Sequence, residues 1–188
     1  KAYDGTPLTN NGYDITGGEF VGTDGLASVA VSGSQTFTGS SANTITGHTL
    51  KDGTKAANYT ITYQPGTLSI TNENPIAITV TAGGGEKTYD GSALTNGTAT
   101  VTSGKLATGD SITYTVTGTQ TDAGNTANVL SDVKVMHGDT DVTANYAVTT
   151  GNGKLLVNPV AIELTAKSDT KAYDGTRLTH NGYDITDG

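Results

Sequence analysis

Five carboxylates of the kind that hold hard cations, Asp110, Asp122, Asp132, Asp139 and Asp141, lie in or beside predicted turns. Calcium takes such oxygen ligands. Asp139-Thr140-Asp141 brings two of them closest together, so Asp139 and Asp141 are the metal candidates. The run lacks the rest of an EF-hand loop, and solvated acidic turns are the simpler account. No cofactor is assigned, calcium being the one this pattern admits. Catalysis has less to stand on. His48, His137 and His180 sit in Gly- or Asn-rich turns, and none has a nucleophile and an orienting group at a recognisable spacing. No catalytic residue is assigned and the chain is read as a non-enzyme. An isopeptide bond would need a Lys and an Asn in contact beside a buried acid. Lys1, Lys87, Asn58 and Asn145 recur in the sequence, but no acid partner is identifiable, and a lysine laying its stem along the surface suffices. Asn58-Tyr59-Thr60 and Asn96-Gly97-Thr98 match the glycosylation sequon, as Thr-rich chains do by chance.

What organises the chain is a motif that occurs three times. Lys1-Ala2-Tyr3-Asp4-Gly5, Lys87-Thr88-Tyr89-Asp90-Gly91 and Lys171-Ala172-Tyr173-Asp174-Gly175 place their tyrosines 86 and 84 residues apart. A fixed period marks a tandem array. In each motif the Asp side chain can bond the backbone two residues on, and Gly accepts positive φ, so Asp-Gly is a tight turn. The tyrosine before it ends an extended segment, and its ring is expected to anchor in a core.

The second copy is read as entirely β. Ile76, Ile78, Val80 and Ala82 alternate with Ala77, Thr79 and Thr81, which is a half-buried strand. Short extended pieces follow at Glu86 to Tyr89 and Thr98 to Thr102. Ile112, Tyr114 and Val116 then alternate with threonines. After a turn-rich Asp122 to Asn125, Val129 to Met136 forms another strand. Tyr146-Val148 and Leu155-Val157 flank Gly151-Asn152-Gly153 and predict a closing hairpin. No stretch carries a 3.6-residue apolar period, and the Gly and Thr content disfavours helix interiors.

The first copy follows the same landmarks. Gly33-Ser34-Gln35-Thr36 answers Gly118-Thr119-Gln120-Thr121, Asn58-Tyr59 answers Asn145-Tyr146, and Pro75-Ile76-Ala77-Ile78 answers Pro159-Val160-Ala161-Ile162. Tyr59 and Tyr146 thus join the motif tyrosines as structural residues. Lys171 to Gly188 differs from Lys1 to Gly18 at only three positions, so the true unit is expected to be a pair of copies. The chain opens inside a repeat. A first copy without a counterpart of Ile76 to Ala82 should leave a sheet edge or groove open, and Val160 to Ala166 is such a strand with no copy after it. Strand completion between molecules, building a fibre, is therefore one expected partnership.

Composition narrows the partners. A net charge of −8 with only ten Lys and Arg excludes nucleic acid, and no apolar run reaches the roughly 18 residues of a membrane span. The chain has no cysteine, which removes disulfides and thiolate metal sites.

With these landmarks placed, the chain resembles the MBG/YDG-type tandem repeats of bacterial cell-surface and adhesin-like proteins. The likeness rests on Lys-x-Tyr-Asp-Gly-x-x-Leu-Thr, the Gly-x-Gln-Thr step, Asn-Tyr, and the Gly-x-Leu ending before Pro-x-Ala-Ile. The resemblance implies extracellular, non-enzymatic modules strung in tandem on a bacterial surface, and it brings no ligand position with it.

The expected fold is all-β. It consists of tandem small antiparallel β-sandwich modules, immunoglobulin-like, of about 85 residues each. A β-grasp-like module is the alternative and would need a helix. The modules are 1–74, lacking its own first strand; 75–159, complete; and 160–188, the first strand and motif turn of a third. Pro-marked joints predict few contacts across Asn72 to Pro75 and Asn158 to Pro159. The expected function is that of a stalk, spacer or fibre body. The competing one is a repeat that binds a host glycan, mucin or surface protein, for which Tyr13 and Tyr183 offer exposed rings.

Overall fold

Alternating Thr and aliphatic residues leave the backbone no better partner than a neighbouring strand, and the computed structural model of the chain is nearly all β. It describes residues 1–187. In chain order the strands are β1 (Leu26–Ser32), β2 (Gly39–Leu50), β3 (Gly66–Ile70), β4 (Ile76–Ala82), β5 (Gly85–Thr88), β6 (Ala99–Ser103), β7 (Asp110–Thr117), β8 (Gly124–His137), β9 (Thr140–Asp141), β10 (Tyr146–Gly151), β11 (Gly153–Asn158), β12 (Glu163–Ala166) and β13 (Tyr183–Asp187). The helical pieces among the described residues are two single 3-10 turns, Ala56–Asn58 and Thr143–Asn145. Each stands immediately before an Asn-Tyr tyrosine.

Contacts divide the chain into two compact units. The first holds Lys1–Val80, Val101–Thr115 and Ser131–Thr150; the second holds Thr81–Thr100, Val116–Leu130 and Gly151–Gly188. Compact units follow contact and repeat copies follow sequence, and the two divisions cut the chain at different places.

In the first unit β1, β2 and β3 form an antiparallel sheet. A second sheet runs β10-β4-β6, with β4 in the middle. Ile78 and Val80 of β4 are buried together with Leu68, Ile70, Val135, Val142, Tyr3 and Tyr146, as the alternation in β4 requires. A further sheet runs β5-β11-β8-β7, of which β5, β11 and residues 124–130 of β8 lie in the second unit. There β11 pairs antiparallel with β8 and parallel with β5, so the sheets are mixed as well as antiparallel. Leu155, Val157, Leu130, Ala82 and Ala99 are its buried apolar side chains. At its C-terminal end β12 pairs with β13.

The expected closing hairpin does not form. β10 and β11 belong to different sheets, and Gly151-Asn152-Gly153 carries the chain from one to the other. Neither glycine has a positive φ. Gly153 is required for another reason, since a Cβ there would collide with the carbonyl oxygen of Gly83, while Asn152 Oδ1 accepts the Leu130 N–H at 3.1 Å. The strand expected from Val129 also begins earlier, at Gly124, because Gly124 to Asn128 pair with β11.

The first sequence copy holds fewer strands than the second. Its counterparts of β7, β8 and β11 are β1, β2 and β3, whereas Tyr13 to Gly17 and Tyr59 to Gln64, which answer β6 and β10, are not strands. In the second copy those two elements are held apart and paired by β4.

Candidate functional site

Among the loop aspartates, Asp110 turns out to be the hub of the first unit. It opens β7, and its side chain is fully buried. A buried carboxylate must collect donors or it destabilises the fold. The Tyr3 phenol donates to both Asp110 oxygens at 3.0 Å, and the Tyr146 phenol donates to Oδ2 at 2.5 Å. Nδ1 of His137 lies 2.6 Å from Oδ1 and therefore carries its proton toward the carboxylate. The Tyr146 oxygen in turn accepts the Ala107 N–H at 2.8 Å. Charge-assisted bonds of this kind are the strong ones. The same enclosure acts on the phenols. Burial first, and then the bond to Asp110, pushes Tyr146 up to about 12 and raises Tyr3 further.

Tyr3 belongs to the first sequence copy, and Asp110, His137 and Tyr146 belong to the second. Other bonds span the same joint. The Thr108 N–H donates to Asp4 O at 3.2 Å, Thr38 Oγ1 donates to Asn145 Oδ1 at 2.5 Å, and Asn72 Nδ2 donates to Ala144 O at 2.5 Å. The Phe37 ring meets the His137 ring edge-on, with centroids 5.4 Å apart. The expectation of few contacts across Asn72 to Pro75 is thus overturned. Proline marks the joint, but polar side chains on both sides fasten it.

The three motif turns share one wiring. Asp4, Asp90 and Asp174 each accept the N–H two residues on, from Thr6, Ser92 and Thr176, at 2.9 Å. Lys1, Lys87 and Lys171 bridge back to those carboxylates at 2.7, 2.7 and 2.9 Å. These bonds, the lysine's first, hold Asp4 and Asp174 down at about 2 and Asp90 lower still. Gly5, Gly91 and Gly175 all have positive φ. Lysine is therefore the clip of the turn, engaged with Asp rather than with an Asn.

The tyrosines of the motif differ. Tyr3 is 6% exposed, but Tyr89 is 42% and Tyr173 97% exposed. The anchoring ring expected of Tyr89 and Tyr173 is corrected accordingly. The motif does not bury its tyrosine in its own copy; Tyr3 is buried because Asp110 of the following copy receives it. A Cβ on Gly5 would strike the backbone of Thr108, whereas one on Gly91 or Gly175 would meet nothing.

The Asn-Tyr tyrosines are where sequence left a partner unnamed. Tyr146 ties to Asp110 and Ala107, and in the first copy Tyr59 does the same: its phenol donates to Asp24 Oδ2 at 2.8 Å and accepts the Val21 N–H at 3.1 Å. Asp24 and Asp110 stand one period apart, as do Val21 and Ala107. That recurrence was the available signal. Two further motif residues find their role in the same way. Leu8 exchanges both backbone bonds with Gln35, and Leu94 with Gln120, so the motif leucine is laced to the Gly-x-Gln-Thr step in both copies.

The metal candidates are not brought together with further ligands. Asp141 accepts the Thr143 N–H and hydroxyl at 3.0 and 2.6 Å, bonds that lower its pKa, and Asp139 is exposed in the β8–β9 turn. Among the described residues no group of three or more metal-ligating side chains occurs. Of the sequons, Asn58 is exposed, but the Asn96 amide is engaged, donating to Gly84 O at 2.7 Å and accepting from Thr98.

The Asp110 side chain has no exposed surface, and its oxygens meet Tyr3, Tyr146 and His137. The fold and site define a nearly all-β chain in which a motif tyrosine clasps a buried carboxylate one sequence copy further on. Comparison with known proteins finds no matching family model, no matching curated protein and no matching solved structure. No helix among the described residues is long and apolar enough to cross a membrane.

Proposed function

We propose that the chain is a structural repeat region, a stalk, spacer or fibre body, of a bacterial extracellular surface protein, built from tandem β-sandwich modules of about 85 residues. The observation that carries this reading is the Tyr3–Asp110 clasp, which joins the most regular motif of one copy to a buried carboxylate of the next. A spacer needs joints that resist bending and shear, and a buried, charge-assisted joint does so where a bare linker would not. The acidic surface, net charge −8, keeps neighbouring stalks apart.

Pulling the chain between terminal handles tests this. A spacer unfolds at a defined force that falls when Asp110 is changed to Asn, and a force insensitive to that change would count against a mechanical joint. A second reading, a glycan-binding repeat, is favoured by one feature: Tyr13 and Tyr63, both exposed, line a groove of about 620 Å³ in the first unit. A glycan array on the whole chain separates the two, since the spacer reading expects no specific sugar.

A further inference from the structure

Among the described residues β7 is the longest strand that ends a sheet, eight residues with β8 on one side only. Such an edge presents unpaired N–H and C=O groups along its free side, and natural edges are commonly blunted by a charged side chain, a proline or a bulge. From Ser111 to Thr117 the sequence holds neither charge nor proline. No residue of β7 has a positive φ, and exposure alternates without a break along all eight residues. β1, the counterpart of β7 in the first copy, ends its own sheet too. There the register with β2 shifts twice, between Leu26 and Ser28 and between Ala30 and Val31, and the alternation is broken. The edge is thus guarded in one copy and bare in the other. Since β1 ends its sheet although a copy follows it, the free side of β7 is a feature of the repeat's own fold.

The side chains of β7 define what fits against it. Ile112 and Tyr114 are only half-buried, whereas Val135 of the neighbouring β8 is fully buried, so burial is incomplete at the strand that lacks a second neighbour. Ser111-Ile112-Thr113-Tyr114-Thr115, which lies in the first unit, reads hydroxyl, apolar, hydroxyl, apolar, hydroxyl in either direction. An antiparallel strand of the same sequence, centred on Thr113, sets Ile112 opposite Tyr114 on one face and Ser111 opposite Thr115 on the other. Aromatic with β-branched side chains, and hydroxyl with hydroxyl, are favourable cross-strand pairs.

We infer that Ser111–Thr115 is a pairing edge for the same segment of a second copy of this chain, joining two sheets into one across a two-fold axis at Thr113. A contact of this kind is self-complementary, as closed dimers require. The net charge of −8 opposes the approach of two copies, but it leaves this strip uncharged. Asp110, which precedes it, has no exposed side-chain surface, and at physiological salt the repulsion of more distant charges is screened beyond about 8 Å. The pairing sets two chains side by side; it goes beyond the spacer reading and does not depend on it.

The test is sedimentation velocity of the whole chain over a concentration series at about 0.15 M salt, with amide hydrogen exchange followed at the same concentrations. The expected result is a monomer–dimer equilibrium, with exchange at Ser111–Thr115 slowing as the dimer forms. Thr113→Lys and Thr113→Asp, at an exposed position, each set like charges opposite one another across the axis. Each variant keeps the melting curve and weakens the dimer at least about tenfold. An equimolar mixture of the two, which sets Lys opposite Asp, restores it. Three results would overturn the proposal: a chain monomeric at every concentration, dimers unchanged in both variants, or a mixture that associates no better than either variant alone.

Discussion

The Tyr3 hydroxyl lies 3.0 Å from each oxygen of Asp110, a residue 107 positions further along the chain. That bond makes the motif tyrosine a property of the joint and not of its own copy.

The three motif tyrosines should therefore respond differently to truncation. Tyr3→Ala removes a buried ring and is expected to cost about 3–5 kcal/mol. Tyr89→Ala and Tyr173→Ala are expected to stay within about 0.5 kcal/mol, as exposed substitutions do. Urea denaturation of the three variants decides it, and equal losses at Tyr3 and Tyr89 would refute the distinction.

Alkaline pH should loosen the joint. Tyr146 is held up at about 12 and Tyr3 above it, against about 10 for an unfolded tyrosine. A raised pKa contributes stability that is whole below about pH 10 and is lost as pH rises through the folded value. Tyrosinate absorbance should show two phenols titrating late, with stability falling from about pH 10. In acid the sign reverses. Asp4 and Asp174 are held at about 2, so the motif turns should persist well below the ordinary carboxylate range and be released only as pH nears that value. Carboxyl-carbon chemical shifts would follow this directly.

Asn128 has no exposed surface and donates to two carbonyls. Asn128→Ala strands both, and about 2–3 kcal/mol should be lost, in the range for unsatisfied buried groups. Asn43→Ala frees one acceptor on the exposed Asn10 and should cost clearly less. Thermal melts of the two variants make the comparison, and the order reversed would contradict the greater share of buried bonding at Asn128.

The strands were legible because alternation is a local signal: β4 runs from Ile76 to Ala82, where the apolar residues said it would, and β7 encloses the Ile112-Tyr114-Val116 run. The motif turn was legible for the same reason, Asp and Gly being sufficient to specify it. What escaped was non-local. Gly151-Asn152-Gly153 reads as a hairpin until the Gly83 carbonyl is seen against Gly153. Asp110 reads as a solvated loop carboxylate until two tyrosines from different copies converge on it. Tyr89 and Tyr3 are the same residue in the same motif, yet Tyr3 meets Asp110 while Tyr89 is exposed. The recurrence of Asp24 and Asp110 one period apart was the sequence signal that pointed there.

A double-mutant cycle between Tyr3→Phe and Asp110→Asn measures the clasp itself. Each single variant is expected to lose about 1.5–3 kcal/mol, as for a hydrogen bond to a charged group, and the double variant should lose markedly less than their sum, giving a coupling of at least about 1 kcal/mol. Additive losses, with no coupling, would contradict the account that Tyr3 and Asp110 fasten one copy to the next.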